Sequence, residues 1–172
     1  MTRVAARHAD EVVLNLVPPE RVGAVRTTVD AAAAAAGRTA PDLAVWVPVA
    51  LEPGAEAREQ LGAQLAVYLG APGYSEMFSA LGFSELVGRA RQGARRSELA
   101  RSMPFELLER IGAVGTIEDV VASISAYHDA GADVVGVVPS TAEDPAGRAV
   151  LRVISATFQE RFESATGEGG SR

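Results

Sequence analysis

Apolar positions along this chain fall into short unbroken runs separated by stretches of helical period. Three runs stand out: Val12–Leu16, Leu43–Leu51 and Val134–Val138. Each is apolar on both faces, with Asn15 the one polar residue among them, the pattern of a strand buried in a parallel sheet. Between the first two, Pro18-Pro19 opens a helix whose Val22, Val25, Val29, Ala32, Ala33 and Ala36 recur at helical spacing, with Gly37 as its C-cap. Ahead of the first run, Val4–Ala9 is the end of a further helix. The alternation predicts a βαβα chain with parallel strands and helical crossovers. Pro48 interrupts the second run; it cannot donate to a ladder, so a bulge or the strand's end is expected there.

Glu52–Met103 is too long for a simple crossover. Gly70, Gly73 and Gly82 divide it into helices over Ala55–Leu69, Tyr74–Leu81 and Ser84–Gly93, with a short segment near Ser97–Arg101. It is expected to be a helical insertion, residues 52–103. Pro104–Ile111 begins another helix. Thr116 and Asp119 then form a capping-box pattern ahead of the apolar face Ile117, Val120, Val121, Ile124 and Tyr127. Gly131 ends that helix. Pro145–Phe162 is the last, with Val150, Val153, Ile154, Thr157 and Phe158 on one side. Residues 1–163 are thus one domain, and 164–172, polar and Gly-rich, are expected to be a disordered tail. There is no internal repeat.

Composition narrows the chemistry. With 172 residues, 48% of them hydrophobic, the chain is long enough and apolar enough for a real core. The net charge of -6 opposes nucleic acid as a main partner, since phosphate binding needs a basic face. No apolar run reaches the roughly 20 residues of a membrane span, and the N-terminus shows no signal-peptide apolar region, so a cytoplasmic protein is expected. There is no cysteine, which excludes thiolate nucleophiles and Cys-ligated metals. All 16 basic residues are arginine, so this chain holds neither a Schiff-base nor a P-loop lysine.

Three segments together resemble the bacterial-luciferase-like oxidoreductases, in particular the branch that uses the deazaflavin coenzyme F420. Ala9-Asp10-Glu11-Val12-Val13-Leu14-Asn15-Leu16-Val17-Pro18-Pro19-Glu20 is similar to that family's strand entry followed by Asn and a proline pair, with Glu11 where Gly is more usual. Tyr68–Phe78, followed by Leu81-Gly82-Phe83, resembles the helical insertion after the seventh strand. Val114–Val120, with Ala130–Asp133 ahead of the last run, resembles the eighth βα unit. The resemblance implies an α/β fold, a partial TIM (β/α)8 barrel comprising about the last three βα units, with the insertion after the second strand of this chain. It implies hydride transfer or monooxygenation with F420, or less favourably FMN. It also implies that the main catalytic and phosphate-binding groups belong to earlier strands, so no catalytic residue is carried over.

A barrel enzyme works at the C-terminal ends of its strands. The positions that meet this rule are Asn15, Leu16 and Val17, then Ala50, Leu51 and Glu52, then Val138, Pro139 and Ser140. From these, Asn15, Glu52 and Ser140 are the rim candidates, and Tyr74, Met77 and Phe78 of the insertion are candidates for a lid. Each has a plainer reading, Asn15 as a turn cap and the three insertion residues as helix packing. His128 is expected to be a partly buried structural residue and His8 to lie away from the rim; two histidines so far apart make no metal site. Arg89, Arg91, Arg95 and Arg96 are either an anion site or a solvated helix face. The paired acids Asp10-Glu11 and Glu143-Asp144 are expected to cap or solvate helix starts.

Three parallel strands with helices on the outside leave the other sheet face bare and both edges unpaired. The chain is therefore expected to pair with a complementary N-terminal barrel half, to self-associate, or to fold its insertion over the open face, and to bind neither cofactor alone. The substrate of the complete enzyme would be a small molecule. The alternatives are a non-catalytic remnant or interaction module, and a self-contained α/β binding protein.

Overall fold

Residues 2–139 and 141–167 are described by a computed structural model. The first apolar run forms β1 (Glu11–Asn15), preceded by α1 (Thr2–His8) and followed by α2 (Pro19–Ala35). Pro19 starts α2 where its missing N–H costs nothing. The second run forms β2 (Asp42–Leu51) and the third forms β4 (Val134–Pro139), with a short β3 (Ala113–Gly115) between them in sequence. All pairings are parallel, and β2 is the hub: it pairs with β1, β3 and β4. The insertion comprises α3 (Ala55–Ala66), α4 (Tyr74–Phe78), a π-type turn over Ser79–Phe83, α5 (Ser84–Arg91) and α6 (Arg96–Arg101). Then come α7 (Phe105–Ile111), α8 (Ile117–Asp129) and α9 (Arg148–Gly167).

Pro48 produces neither bulge nor strand end. The register with β4 runs unbroken from Ala44–Val134 to Val49–Pro139. The backbone explains why. The amides of Asp42 and Glu52 donate to Asp10 and Gly115, on one edge, whereas the Leu43 carbonyl accepts from Asp133 on the other. Even-numbered positions of β2 thus direct their backbone groups toward β1 and β3. Pro48 falls in the gap between them, since β1 ends opposite Trp46 and β3 begins opposite Val49. The missing N–H faces no ladder partner. The chain then squeezes back: a Cβ on Gly112 would stand 3.0 Å from the Pro48 carbonyl oxygen, so only glycine lets α7 turn directly into β3.

The two faces of β2 differ sharply. Leu43, Val45, Val47 and Val49 are at most 1% exposed and lie under α2, α8 and α9 with Val22, Val29, Val120, Ile124 and Tyr127. Burying each such side chain contributes on the order of 1.5–3 kcal/mol over an exposed position. On the opposite face Trp46 is 54% exposed, and its neighbours Val13 and Val134 are 44% and 48% exposed. The insertion builds a second apolar cluster from Leu61, Leu65, Leu69, Phe78, Leu86, Leu107 and Ile111, and closes it over Leu16, Ala50 and Val114. It covers the C-terminal end of the open face and leaves the rest bare.

At the N-terminal end, Asp133 ties the strands together. Its carboxylate accepts the Leu43 N–H at 2.8 Å and an Arg26 N–H at 3.1 Å, and Arg26 also donates to the Pro41 carbonyl. The capping box at α8 forms as the sequence predicts: Thr116 Oγ1 accepts the Asp119 amide, and the Asp119 carboxylate accepts the Thr116 amide. Helix α9 continues past Phe162 to Gly167, which takes in the first residues of the expected tail; 168–172 lie outside the described residues.

Candidate functional site at the strand ends

The C-terminal ends of β1 and β2 are held by strained and buried backbone. Leu16 and Glu52, each just past its strand, adopt left-handed conformations with φ of 53° and 40°. Leu16 turns its side chain into the insertion cluster. Val17 is buried, and its carbonyl accepts a hydrogen bond from the Tyr127 hydroxyl at 2.8 Å. Burial pushes the Tyr127 phenol far above its ordinary range, with the Glu20 carboxylate adding to the effect. This contact fixes the turn after β1 against α8. The sequence shows Tyr127 only as one member of an apolar face; nothing in its spacing reveals a partner 110 residues away.

Asn15 is half-buried at the end of β1, directly beside Trp46 of β2. Tyr74 reaches it from the insertion: its hydroxyl donates to the Asn15 carbonyl at 3.1 Å. Burial raises the Tyr74 pKa, and the neighbouring Tyr68 adds to this. Tyr68, Tyr74 and Phe78 form a chain of rings, with centroids 4.9 Å and 6.1 Å apart. Phe78 is wholly buried within it. Met77 is half-buried and faces a cleft of about 740 Å³ between α4 and the start of α2, shared with Pro18, Arg21 and Arg110. Glu52 is exposed beside Pro53, away from that cleft. Ser140 lies outside the described residues. The structure thus brings Asn15 and Tyr74 together, packs Phe78 behind them, and leaves Glu52 apart. Trp46 belongs with Asn15, and sequence reasoning placed it only inside a strand. Its alternation relative to Val45 and Val47 was the available signal, masked by the apolar character of both faces.

The arginine cluster lies largely on the surface, with Arg95 exposed and the other three members hydrogen-bonded to neighbouring elements. Arg91 donates to Ser75 Oγ at 2.7 Å and to Glu76 at 2.9 Å, Arg96 to the Ala63 carbonyl, and Arg89 to Ser102. Glu76 also accepts the Gly73 N–H at the start of α4, and these hydrogen bonds hold its carboxyl below the ordinary range. Between the ends of β2 and β4 a cleft of about 160 Å³ leads to the start of α9. There the Asp144 carboxylate accepts the amides of Ala149 and Val150, which lowers its pKa. The helix start that would attract an anion is already filled by this chain's own carboxylate. His128 Nδ1 pairs with the Ala132 carbonyl at 3.0 Å, a structural contact. Among the described residues no cluster of His, Cys, Asp or Glu is arranged to hold a metal, and no helix is long and apolar enough to cross a membrane.

The sequence profile of the luciferase-like monooxygenases matches residues 1–134. The chain belongs to this family. Solved structures with a similar fold include the coenzyme F420 dependent tetrahydromethanopterin reductase from Methanopyrus kandleri, 19% identical with a TM-score of 0.65 over 81% of this chain. An F420-dependent secondary alcohol dehydrogenase, in complex with an F420-acetone adduct, is 13% identical with a TM-score of 0.53 over 79% of the chain. The oxygenating constituent of 3,6-diketocamphane monooxygenase from Pseudomonas putida, in complex with FMN, is 18% identical over 84% of the chain, with a TM-score of 0.45. This chain spans 42%, 39% and 40% of those proteins' lengths, in the same order. No curated protein matches it. The mixed α/β architecture, with its parallel sheet, therefore resembles luciferase-like TIM-barrel enzymes over part of their length.

Proposed function

We propose that this chain forms the closing part of a luciferase-like oxidoreductase barrel, about its last three βα units. In this reading it shapes the pocket and caps it with the insertion, and the main catalytic groups reside elsewhere in the complete enzyme. The observation that carries the reading is the division of the sheet. One face is sealed under helices, the other is bare at Val13, Trp46 and Val134, and the insertion closes over the strand ends where barrel enzymes place their chemistry. Coenzyme F420 is the favoured cofactor over FMN, because the two neighbours with TM-scores of 0.65 and 0.53 are F420-dependent. Such a cofactor supplies a redox ring and needs an anchor for its anionic tail. The described residues offer the tail no enclosed cationic site: Asp144 fills the start of α9, Arg91 is paired with Glu76, Arg89 and Arg96 bond Ser102 and the Ala63 carbonyl, and Arg95 stands exposed on the surface. Cofactor retention then requires the complementary part of the barrel.

Equilibrium dialysis of the chain alone, and of the chain joined to complementary βα units, against F420 and against FMN tests this. The expected result is no retention by the chain alone and preferential F420 retention by the completed protein. Tight F420 binding by the chain alone overturns the division of labour, and retention of FMN only overturns the choice of cofactor. The lack, among the described residues, of an enclosed cationic anchor also favours a second reading, a non-catalytic interaction module. That reading gains if the completed protein retains neither cofactor.

A further inference from the structure

The cleft of about 740 Å³ between α4 and the start of α2 lies within the size range of small-molecule pockets. Its floor is apolar: Pro18 is buried, and Met77 and Leu81 are half-buried. Its charged walls differ in how they are occupied. The Glu20 carboxylate pairs with Arg110, joining α2 to α7. The Glu76 carboxylate is held by Arg91 and by the Gly73 N–H. Arg21 has no hydrogen-bond or ion-pair partner among the described residues. Both acids are thus neutralised in place, and the uncompensated charge of the cleft is a guanidinium standing over an apolar floor.

We infer that this cleft binds an amphipathic carboxylate, with its anionic head on Arg21 and Arg110 and its alkyl body on Pro18, Met77 and Leu81. The site goes beyond the barrel reading and stands without it, since every lining residue belongs to this chain. A guanidinium receives a carboxylate through two parallel N–H···O bonds, so head and arginine match in geometry as well as charge. The apolar floor favours a ligand with an apolar body. A cation would meet Arg21 as a like charge, and a small inorganic anion would leave Met77 and Leu81 in water. The occupant also touches the cap over the strand ends. Glu76 and Met77 line the cleft from α4, and Tyr74 of the same helix donates to the Asn15 carbonyl at the rim. A ligand that bridges α2 and α4 therefore steadies α4 in the position marked by that hydrogen bond.

Sodium octanoate is the probe, with octanamide and sodium acetate as controls for the charge and the body. Isothermal titration calorimetry of the full chain should show saturable octanoate binding that weakens as salt rises, with octanamide and acetate at least fivefold weaker. Hydrogen exchange read by mass spectrometry locates the ligand. Protection is expected in peptides covering 18–24 and 73–83, and not in those around Trp46 on the bare sheet face. Arg21→Gln should lose at least fivefold in affinity. Ala24→Glu should lose as much, by placing a carboxylate at the cleft wall. Both residues are exposed, so the far-UV circular dichroism of each variant should match wild type. Octanamide binding as tightly as octanoate overturns the proposal. So does full affinity in Arg21→Gln, protection confined to the bare sheet face, or no binding at millimolar octanoate. No cofactor enters the experiment, so its outcome is separate from retention of F420 or FMN.

Discussion

Two glycines in the insertion predict opposite outcomes for the same substitution. Gly62 lies inside α3 and Gly88 inside α5. By helix propensity alone, replacing either with alanine stabilises the fold by about 1 kcal/mol, because glycine loses more backbone freedom on folding. Their surroundings separate them. A Cβ on Gly62 would stand 2.7 Å from the Ala100 carbonyl oxygen, 3.1 Å from Met103 Cβ and 3.3 Å from Ala100 Cα. The close atoms are mostly backbone, so α6 must shift away from α3, and overpacking of this kind costs about 1–3 kcal/mol. Around Gly88 nothing lies within 4 Å. Gly62→Ala should therefore destabilise by about 1 kcal/mol net, whereas Gly88→Ala should stabilise by about 0.5–1 kcal/mol. Urea unfolding followed by circular dichroism, at one fixed protein concentration, reads both as midpoint shifts at constant slope. If Gly62→Ala raises the midpoint as much as Gly88→Ala, the close approach of α3 and α6 is not a real constraint.

Further expectations concern the contacts that hold the strand ends. Asp133→Ala strands the Leu43 amide and loosens Arg26, so a loss of about 2 kcal/mol is expected, read as a fall of roughly 4–8 °C in Tm. Tyr127→Phe leaves the Val17 carbonyl unpartnered and should cost about 1–2 kcal/mol in the same assay. The Tyr127 pKa is raised above its model-peptide value of 10.0, so its share of stability is present below pH 10 and is lost as pH rises beyond it. Because the shift comes chiefly from burying the phenol, wild type should lose stability relative to Tyr127→Phe as pH rises beyond 10, and the two stability curves should cross in strong alkali. Asp144 is opposite in sign: its pKa lies below 3.8, so its contribution is present above that pH and lost as pH falls through the lower folded value. Asp144→Ala should differ from wild type at neutral pH and match it in strong acid, by thermal melts across that range.

What the sequence determined by itself is the set of elements with strong local codes. Val12–Leu16, Leu43–Leu51 and Val134–Val138 became strands because short, valine-rich runs that are mostly apolar on both faces suit a buried parallel sheet, and Thr116 with Asp119 started α8 through contacts three residues apart. Pro18-Pro19 opened α2 for an equally local reason. Tertiary structure decided the rest. β3 is three residues long and exists only because β2 offers it an edge beyond the end of β1, so no run of its own announces it. Pro48 stays inside a regular strand because its missing donor falls between two partners, a fact of register and not of composition. Arg91 and Arg96 stay at the surface but bond Ser75, Glu76 and the Ala63 carbonyl, partners which their sequence neighbours do not reveal. Trp46 and Val47 are adjacent and both apolar, yet one is half-exposed and the other fully buried. Their difference is set by which sheet face the helices cover, and the alternation of side chains along a strand carries that choice to every second residue.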